Sequence, residues 1–188
     1  MKLKRNIRAV GIDDCPFDKF KDKEVSIIGT VMRGNSLVEG FLKENIVVDG
    51  NDVTKAVIKM IKESQFNSQL KTIFTDGVTF GGFNVLDVFE VNSRLNIPVI
   101  IIIRNKPNLE KIKSALLKLG KKRELGIIEK MPEAVMFNGI YYQNIGLNRE
   151  DSEKLIEIFT NSAKIPEPIR ISHLIGQMLV YNRSSGHA

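Results

Sequence analysis

Length, composition and charge restrict the class of protein. At 188 residues, with 43% hydrophobic and 27% charged residues, the chain is long enough for one well-filled core and too short for two comfortable domains, so we predict a single domain over residues 1–188. One cysteine excludes an internal disulfide, and the N-terminus lacks the apolar core of a signal peptide, so we expect a cytoplasmic protein. The longest apolar run, "IPVIIII", is much shorter than the roughly 18 residues of a membrane-spanning helix, which argues against a membrane partner.

The charge balance favours an anionic partner. There are 28 Lys and Arg residues against 22 Asp and Glu residues, and nucleic acid is the usual partner of a chain with a net charge of +6. Part of this charge gathers in "KLGKKR", from Lys118 to Arg123. A solvated helix end explains that cluster equally well.

The first half of the chain predicts strands followed by a helix. Three strand-like runs, "NIRAVGID", "EVSIIGTVM" and "LVEGFLKENIVVD", occupy residues 6–49, and "RGNS" supplies a hairpin turn between the second and third. No helical period fits between the first and second runs. The segment "DVTKAVIKMIKES" then predicts an amphipathic helix with Asp52 as its N-cap, and "KTIFTD" a fourth strand.

The second half alternates helices and strands. We predict a helix in "FNVLDVFEVNSRL", a fifth strand in "IPVIIIIR" and a helix in "NLEKIKSALLKL" that stops at Gly120. Asn138 and Gly139 indicate a short hairpin or a loop folded over the sheet. Two helices, "NREDSEKLIEIFTNSA" and "IRISHLIGQMLVYN", close the chain. The order predicts an α/β fold with a mixed five-stranded sheet, three antiparallel strands followed by parallel strands that alternate with helices, and helices on its faces.

Three of the predicted strands end at carboxylates, namely Asp13, Asp49 and Asp76. If the first and fourth strands are parallel neighbours, Asp13 and Asp76 lie side by side, and such carboxylates repel unless a cation or a proton lies between them. An oxygen-only cluster, with Asp49 as third ligand, suits Mg²⁺ or Mn²⁺ and not zinc. Asp14 points to the other side of the strand and is a poorer ligand. Asp-Gly pairs also shape turns, which is the structural alternative for Asp49 and Asp76.

The last helix adds a titratable group. At 100° per residue its apolar face is predicted to contain Ile171, Leu174, Ile175, Met178 and Leu179, with Arg170, His173 and Gln177 on the opposite side. His173 is thus a candidate functional residue, and a solvated histidine is the alternative.

These residues resemble two related families. The order of "VGIDD", "VVDG", "FTDG", "IPVIIIIRNK" and "IPEPIRISHLIG" resembles the endonuclease V group, which has the ribonuclease-H-like fold. More closely, "GIDDCPF", "VVDGNDVT" and "TDGVTFGGFNV" resemble an archaeal family described as cleaving DNA at deoxyuridine, the endonuclease dU family. The likeness covers nearly the whole chain.

The resemblance implies roles for individual residues. Asp13 matches the metal ligand of the first strand, Asp76 the ligand after the fourth, and His173 the histidine of the C-terminal helix. Asp49 stands where endonuclease V has a glutamate, so this ligand is shorter here. The tyrosine-bearing wedge with which endonuclease V opens the duplex has no counterpart in "MRGNSLVEGF".

The implied activity is hydrolysis of a phosphodiester 3′ to a deaminated base, with Mg²⁺ or Mn²⁺ as cofactor and deoxyuridine-containing DNA as partner. Arg104 and Lys106 are candidate phosphate contacts, with structural salt bridges as the alternative. The glycines of one loop are candidates to line a pocket for an extruded base by their backbone: Gly77, Gly81 and Gly82.

Three other functions fit parts of the sequence. A receiver-like signalling domain would use Asp49 as phosphoacceptor, but it requires a helix between the first and second strands. A nucleic-acid-binding protein on the same fold would bind without cutting. An endonuclease directed at inosine or at RNA would keep the chemistry and change the substrate.

Overall fold

A computed structural model describes residues 6–186. The chain begins with three antiparallel strands, β1 (Arg8–Asp14), β2 (Glu24–Arg33) and β3 (Leu37–Val47). A hairpin turn joins β2 to β3, as "RGNS" predicts, and Gly34 takes a positive φ of 59° in it. Residues 15–23 between β1 and β2 form a loop with no helix, which removes the receiver-like alternative.

The rest of the chain alternates helices and strands. After β3 come α1 (Val53–Lys62), a 3-10 turn (Asn67–Gln69), β4 (Leu70–Asp76), the short strands β5 (Thr79–Phe80) and β6 (Asn84–Val85), α2 (Val88–Leu95), β7 (Val99–Ile103), α3 (Leu109–Lys118), α4 (Lys122–Lys130), β8 (Val135–Phe137), β9 (Ile140–Ile145), α5 (Arg149–Phe159) and α6 (Glu167–Tyr181). No helix of residues 6–186 is long and apolar enough to cross a membrane.

The main sheet has the strand order β3-β2-β1-β4-β7-β9-β8. Strands β1, β4 and β7 are mutually parallel, and the others run antiparallel to their neighbours. The five predicted strands are therefore present, but the sheet has seven strands and not five. The two additional strands are β8 and β9, because the turn at Asn138 and Gly139 makes a hairpin that pairs β9 with the edge of β7 instead of covering the sheet.

Two helices differ from the prediction. The segment predicted as a helix from residue 83 starts at Val88, because Asn84 and Val85 pair with β5 and Asp87 caps the helix through a bond from the backbone N–H of Glu90 at 3.0 Å. Helix α4 was not predicted; it begins at Lys122, two residues after the Gly120 at which the preceding helix was expected to stop. Asp52 occupies the N-cap position of α1, but its side chain makes no capping bond. It accepts a bond from Asn84 at 2.6 Å instead.

Apolar side chains on both sides of the sheet form the core. Residues of α1 and α2 pack on one face, and residues of α5 and α6 pack on the other. Helix α6 approaches β1 very closely, since a Cβ atom added to Gly11 would lie 2.3 Å from the carbonyl carbon of Pro168. This contact fixes the position of α6 over the strand that carries Asp13.

The buried face of α6 differs from the predicted apolar face. Ile169, Ser172 and Gly176 are buried, whereas Met178 is 46% exposed and Leu179 49% exposed. Small residues face the sheet because the helix axis lies so close to β1, and the Ser172 hydroxyl donates a 2.8 Å bond to the carbonyl oxygen of Gly11. His173, next to this face, is thereby directed toward the end of β1.

Candidate active site

Two carboxylates meet where adjacent parallel strands end. The register pairs Ile12 of β1 with Thr75 of β4, so Asp13 and Asp76 follow at the same edge of the sheet. Asp13 is 5% exposed, while Asp76 is partly buried. The predicted neighbourhood of these two residues is therefore confirmed.

Helix α6 adds His173 to this pair. The Nδ1 atom of His173 lies 2.9 Å from Oδ2 of Asp13. One ligand atom from each of Asp13, Asp76 and His173 lies within 4.8 Å of the others, so a single metal ion can reach all three. These residues lie in an open cleft of about 470 Å³. The cleft is lined by Asp13, Asp14, Cys15, Pro16, Phe17, Asp76, Arg104, His173 and Tyr181.

The electrostatics of the cleft favour a bound cation. Burial raises the pKa of Asp13 above its ordinary value by more than the hydrogen bond from His173 lowers it, and the charge of Asp76 raises it further. Burial also raises the pKa of Asp14 to about 6, with contributions from the charges of Asp13 and Asp76. Three acidic groups therefore crowd one cleft, and a divalent cation would relieve their repulsion.

Gln177 fixes the state of the histidine ring. Its side-chain oxygen accepts a 3.0 Å bond from the backbone N–H of Ser185, so its amide nitrogen is left to donate to Nε2 of His173, also at 3.0 Å. Nε2 then acts as acceptor and Nδ1 carries the proton that it donates to Asp13. The hydrogen bond to Asp13 raises the pKa of His173. A donor at Nε2 opposes protonation of that nitrogen, so the contact with Gln177 suits the neutral ring.

Among the residues that line the cleft, Arg104 carries the positive charge. Arg104 follows Ile102, the residue of β7 that pairs with Asp76, by two positions. Its guanidinium Nη2 atom donates a 2.7 Å hydrogen bond to Oδ2 of Asp76. The structural salt bridge considered for Arg104 is thus present, and its side chain is still 34% exposed in the cleft. Lys106 is exposed beyond β7, and the structure does not bring it into the cleft.

The structure does not bring Asp49 into this group. Asp49 adopts a φ of 53° in the turn after β3, where Oδ1 accepts a 2.7 Å bond from the backbone N–H of Phe83 and Oδ2 lies 3.6 Å from Nζ of Lys19. β2 lies between β3 and β1 in the sheet, and Asp49 is neither in the cluster of Asp13, Asp76 and His173 nor among the residues that line the cleft. Its role as metal ligand stays a prediction.

Asp14 lies in the site, although the alternation of side chains along a strand predicted that it would point to the other side. It lies in the cleft with Asp13 because β1 ends there, and its Oδ2 accepts a 2.6 Å bond from the backbone N–H of Gly81. The doubled aspartate at the end of a strand was the available signal, since both residues of such a pair can face the same opening when the strand stops.

Backbone conformation and close packing explain why three positions of the loop after β4 are glycine. Gly77, Gly81 and Gly82 have φ values of 75°, 52° and 90°, which side-chain-bearing residues rarely adopt. A Cβ atom on Gly82 would lie 2.3 Å from Oδ1 of Asp49, whereas Gly77 faces open space. The loop is therefore held between Asp14 and Asp49, and its contact with a substrate stays a prediction.

Comparisons with known proteins identify the family. The family model for endonuclease dU matches residues 5–180. The chain belongs to the endonuclease dU family. A UPF0215 protein of Methanothermobacter thermautotrophicus is 35% identical over 192 residues, which cover 100% of this chain and 94% of that protein.

Solved structures support the fold of this endonuclease dU family member. The crystal structure of a protein of unknown function from Archaeoglobus fulgidus has a TM-score of 0.87 at 37% identity and covers 93% of this chain and 99% of its own. Endonuclease V of Ciona intestinalis, solved with DNA that contains an inosine, has a TM-score of 0.61 at 13% identity over 94% of this chain and 87% of its own. The predicted ribonuclease-H-like fold is confirmed, and membership of the endonuclease dU family supports a nuclease.

Proposed function

We propose that the protein is a metal-dependent DNA-repair endonuclease of the cytoplasm that hydrolyses the phosphodiester 3′ to a deaminated base, with deoxyuridine in DNA as its substrate. The observation that carries this proposal is the convergence of Asp13, Asp76 and His173, from two parallel strands and the last helix, in a cleft open to solvent. Membership of the endonuclease dU family supports it.

The donor set fits a hard divalent cation. Asp13 and Asp76 offer carboxylate oxygens, which Mg²⁺ and Mn²⁺ prefer, and the imidazole of His173 lies beside them with its Nδ1 proton donated to Asp13. Asp14 is a further oxygen donor in the same cleft. When bound, such an ion lowers the pKa of a water and neutralises charge on the phosphate. The raised pKa of Asp13 supports a site whose carboxylates ionise fully only when a cation is present.

His173 and Arg104 have separate tasks in this proposal. The neutral imidazole, held by Gln177 and Asp13, can accept a proton from an attacking water once Nε2 is free of Gln177, or orient that water by a hydrogen bond. Arg104 keeps Asp76 in place and presents its remaining N–H groups to the phosphate.

A small cavity beside Asp76 favours a base with one ring, and not two, as the base that the protein binds. Its volume is about 120 Å³, and an apolar cavity of about 150 Å³ holds benzene. Gln143 contributes the polar edge, with its amide oriented by a 2.5 Å bond to the carbonyl of Pro132. The residues that line the cavity are Gly77, Val78, Thr79, Ile103, Pro107, Leu109, Ile112, Ile128, Met131 and Gln143. A pyrimidine fits this volume better than a purine, which favours uracil over hypoxanthine.

A basic segment of the chain begins at Arg104, which lines the cleft. Residues 104–130 contain nine Lys and Arg residues and three Asp and Glu residues, a surplus equal to the net charge of +6 of the whole chain. This segment runs from Arg104 through α3 and α4, and Leu109 and Ile112 of α3 line the base cavity. In this proposal the segment follows the phosphate backbone next to an extruded base.

Cleavage of end-labelled oligonucleotides tests the proposal. Substrates carry uracil, hypoxanthine or no lesion, as DNA and as RNA, with Mg²⁺, Mn²⁺ or EDTA. We expect a metal-dependent nick 3′ to uracil in DNA that is lost in Asp76→Asn and kept in Glu157→Gln, an exposed carboxylate of α5. Preferred cleavage at hypoxanthine or in RNA would assign a different substrate and retain the proposed hydrolysis of a phosphodiester. If folded protein binds the oligonucleotides tightly but cleaves none of them with either metal, the proposal that it is an endonuclease is refuted.

A further inference from the structure

Phe20 projects into solvent beside the catalytic cleft. It lies in the loop of residues 15–23, between β1 and β2, and is 93% exposed. The next most exposed large apolar side chain of residues 6–186 is that of Met136, at 64%. Exposed apolar side chains are common singly, but one left almost wholly in water forfeits most of the stabilisation that burial would supply.

The loop holds Phe20 at its tip by ordered hydrogen bonds. The backbone N–H of Phe20 donates to Oδ1 of Asp18 at 2.9 Å, and the backbone N–H of Asp18 donates to Oδ2 of Asp22 at 2.7 Å. Both ends are anchored to the sheet, by bonds from Cys15 to Ser26 at 2.8 Å and from Val48 to Lys23 at 2.9 Å. The exposure of Phe20 therefore arises from a formed turn and not from a frayed chain end.

This turn lies at the catalytic end of the sheet. Phe17, in the same loop, lines the cleft that contains Asp13 and Asp76. Phe20 follows three residues later, so its Cα lies at most about 11 Å from that of Phe17. Successive bases of a strand are about 3.4 Å apart, so this distance corresponds to about three base steps.

The other hairpin turn cannot serve the same site. β2 runs antiparallel to β1 with Arg33 opposite Arg8 and Ile27 opposite Asp14, so the β2–β3 turn lies at the far end of β1. The seven residues of β1, from Arg8 to Asp14, separate the two ends by about 20 Å. The β1–β2 loop is the connection between these strands that can touch a substrate at Asp13.

The charges around Phe20 suit a nucleic acid. Lys19, Lys21 and Lys23 surround it in the sequence, while both aspartates of the loop use side-chain oxygens to accept backbone N–H groups. Lys21 is 81% exposed, with an ion pair of 3.2 Å to Asp18. Lys19 lies toward Asp49 and the ring of Phe83. Lys21 and Lys23 are exposed and flank Phe20 in the sequence, so they are the candidates for phosphate contacts.

We propose that Phe20 inserts into the base stack of the nucleic acid next to the nucleotide bound at Asp13 and Asp76, and that Lys21 and Lys23 contact the flanking phosphates. This inference rests on the proposed function, because it takes nucleic acid as the ligand of the cleft. Apolar side chains at the tips of loops unstack base steps in this way, and stacking on an aromatic ring tolerates any base.

Base unstacking is measured first without cleavage. Duplex DNA with 2-aminopurine beside a uracil is titrated with protein in EDTA, and the rise in 2-aminopurine fluorescence at saturation reports unstacking. We expect the rise with the wild type and with Phe41→Ala, a matched exposed phenylalanine on β3, and its loss with Phe20→Ala. An equal rise with Phe20→Ala would overturn the proposal, whether or not the protein cuts DNA.

Cleavage provides the second measurement. Phe20→Ala should lower kcat/KM on duplex DNA by about 5- to 100-fold, the equivalent of one stacking contact, and leave single-stranded DNA nearly unaffected. Equal losses on both substrates would contradict insertion into a duplex. If the wild type cleaves no substrate, the proposed function is refuted. The fluorescence titration decides the role of Phe20 in either case. Sedimentation of a wild-type dimer that Phe20→Ala dissociates would assign Phe20 to self-association instead.

Discussion

Nδ1 of His173 lies 2.9 Å from Oδ2 of Asp13, across 160 positions of sequence. The contact exists because α6 packs on β1 through Ser172 and Gly176, which are small enough to let the helix lie close to the strand. It joins the last helix to the first strand at the edge of the sheet where β1 and β4 present Asp13 and Asp76.

The protonation of His173 should depend on Gln177. In the wild type the amide nitrogen of Gln177 donates to Nε2 and opposes protonation, whereas a carboxylate at this position would accept a proton from Nε2. We expect the pKa of His173 to rise in the order wild type, Gln177→Met, Gln177→Glu, with the last about one unit or more above the wild type. NMR titration of the imidazole resonances measures this, with His173→Ala to assign them. A pKa that is the same in all three proteins would show that Gln177 does not control the ring.

Asp14→Asn should stabilise the metal-free protein at neutral pH. The folded-state pKa of Asp14 is about 6, against 3.8 as the ordinary value, so ionisation costs the folded state more than the unfolded state. The advantage of the variant should be absent below about pH 4, grow between pH 4 and pH 6, and reach about 2 to 3 kcal/mol above pH 6. The amide oxygen of Asn can still accept the bond from Gly81.

Urea unfolding in EDTA from pH 4 to pH 8 measures this difference, and other titrating groups cancel because both proteins contain them. Glu157→Gln on α5 is the matched control for loss of one exposed carboxylate. A stability difference that does not change with pH would show that Asp14 ionises normally in the fold.

Metal binding should distinguish Asp76 from Asp49. Asp76 shares a cluster with Asp13 and His173, whereas the carboxylate of Asp49 is engaged by Phe83 and Lys19. We expect Asp76→Asn to weaken Mn²⁺ binding by about 10-fold or more, and Asp49→Asn to leave it nearly unchanged. Titration calorimetry with Mn²⁺ checks both variants. Equal weakening by the two would make Asp49 a ligand, as the resemblance to endonuclease V implies, and would require its turn to move.

The strand-end carboxylates show what the sequence could and could not predict. A right-handed crossover allows β1 and β4 to be parallel neighbours, and on that condition Asp13 and Asp76 were expected side by side. The structure meets the condition. Asp49 ends a strand in the same way, but β3 is antiparallel to β2 and is not a neighbour of β1. Sequence pattern reveals where a strand ends and does not reveal how many strands lie between two ends.

The last helix shows a second limit. Its apolar pattern predicted Met178 and Leu179 on the buried face, but the helix turns its small residues to the sheet and leaves these two exposed. Hydrophobic periodicity assumes that burial selects large side chains, and it fails where close approach of two backbones selects small ones. His173 was a candidate by its place on the wheel, and only the packing of α6 revealed its partner Asp13.

The close approach of α6 to β1 should make Gly11 intolerant of a side chain. A Cβ atom there would lie 2.3 Å from the carbonyl carbon of Pro168 and 2.4 Å from the nitrogen of Ile169, and backbone atoms of a packed helix cannot move aside cheaply. We expect Gly11→Ala to destabilise the protein by about 3 kcal/mol, because α6 must shift away from β1. The same shift would lengthen the contact between His173 and Asp13 and weaken Mn²⁺ binding.

Gly126→Ala is the matched control, since a Cβ atom there meets nothing within 4 Å and the residue lies within α4. Replacing a glycine inside a helix by alanine should stabilise the fold by about 0.5 to 1 kcal/mol. Urea unfolding of both variants gives the two free energies, and calorimetry with Mn²⁺ tests the site. If Gly11→Ala is destabilised but binds Mn²⁺ like the wild type, the packing of α6 supports the fold without setting the position of His173. If both alanines stabilise the protein, α6 does not lie against β1 as closely as these distances require.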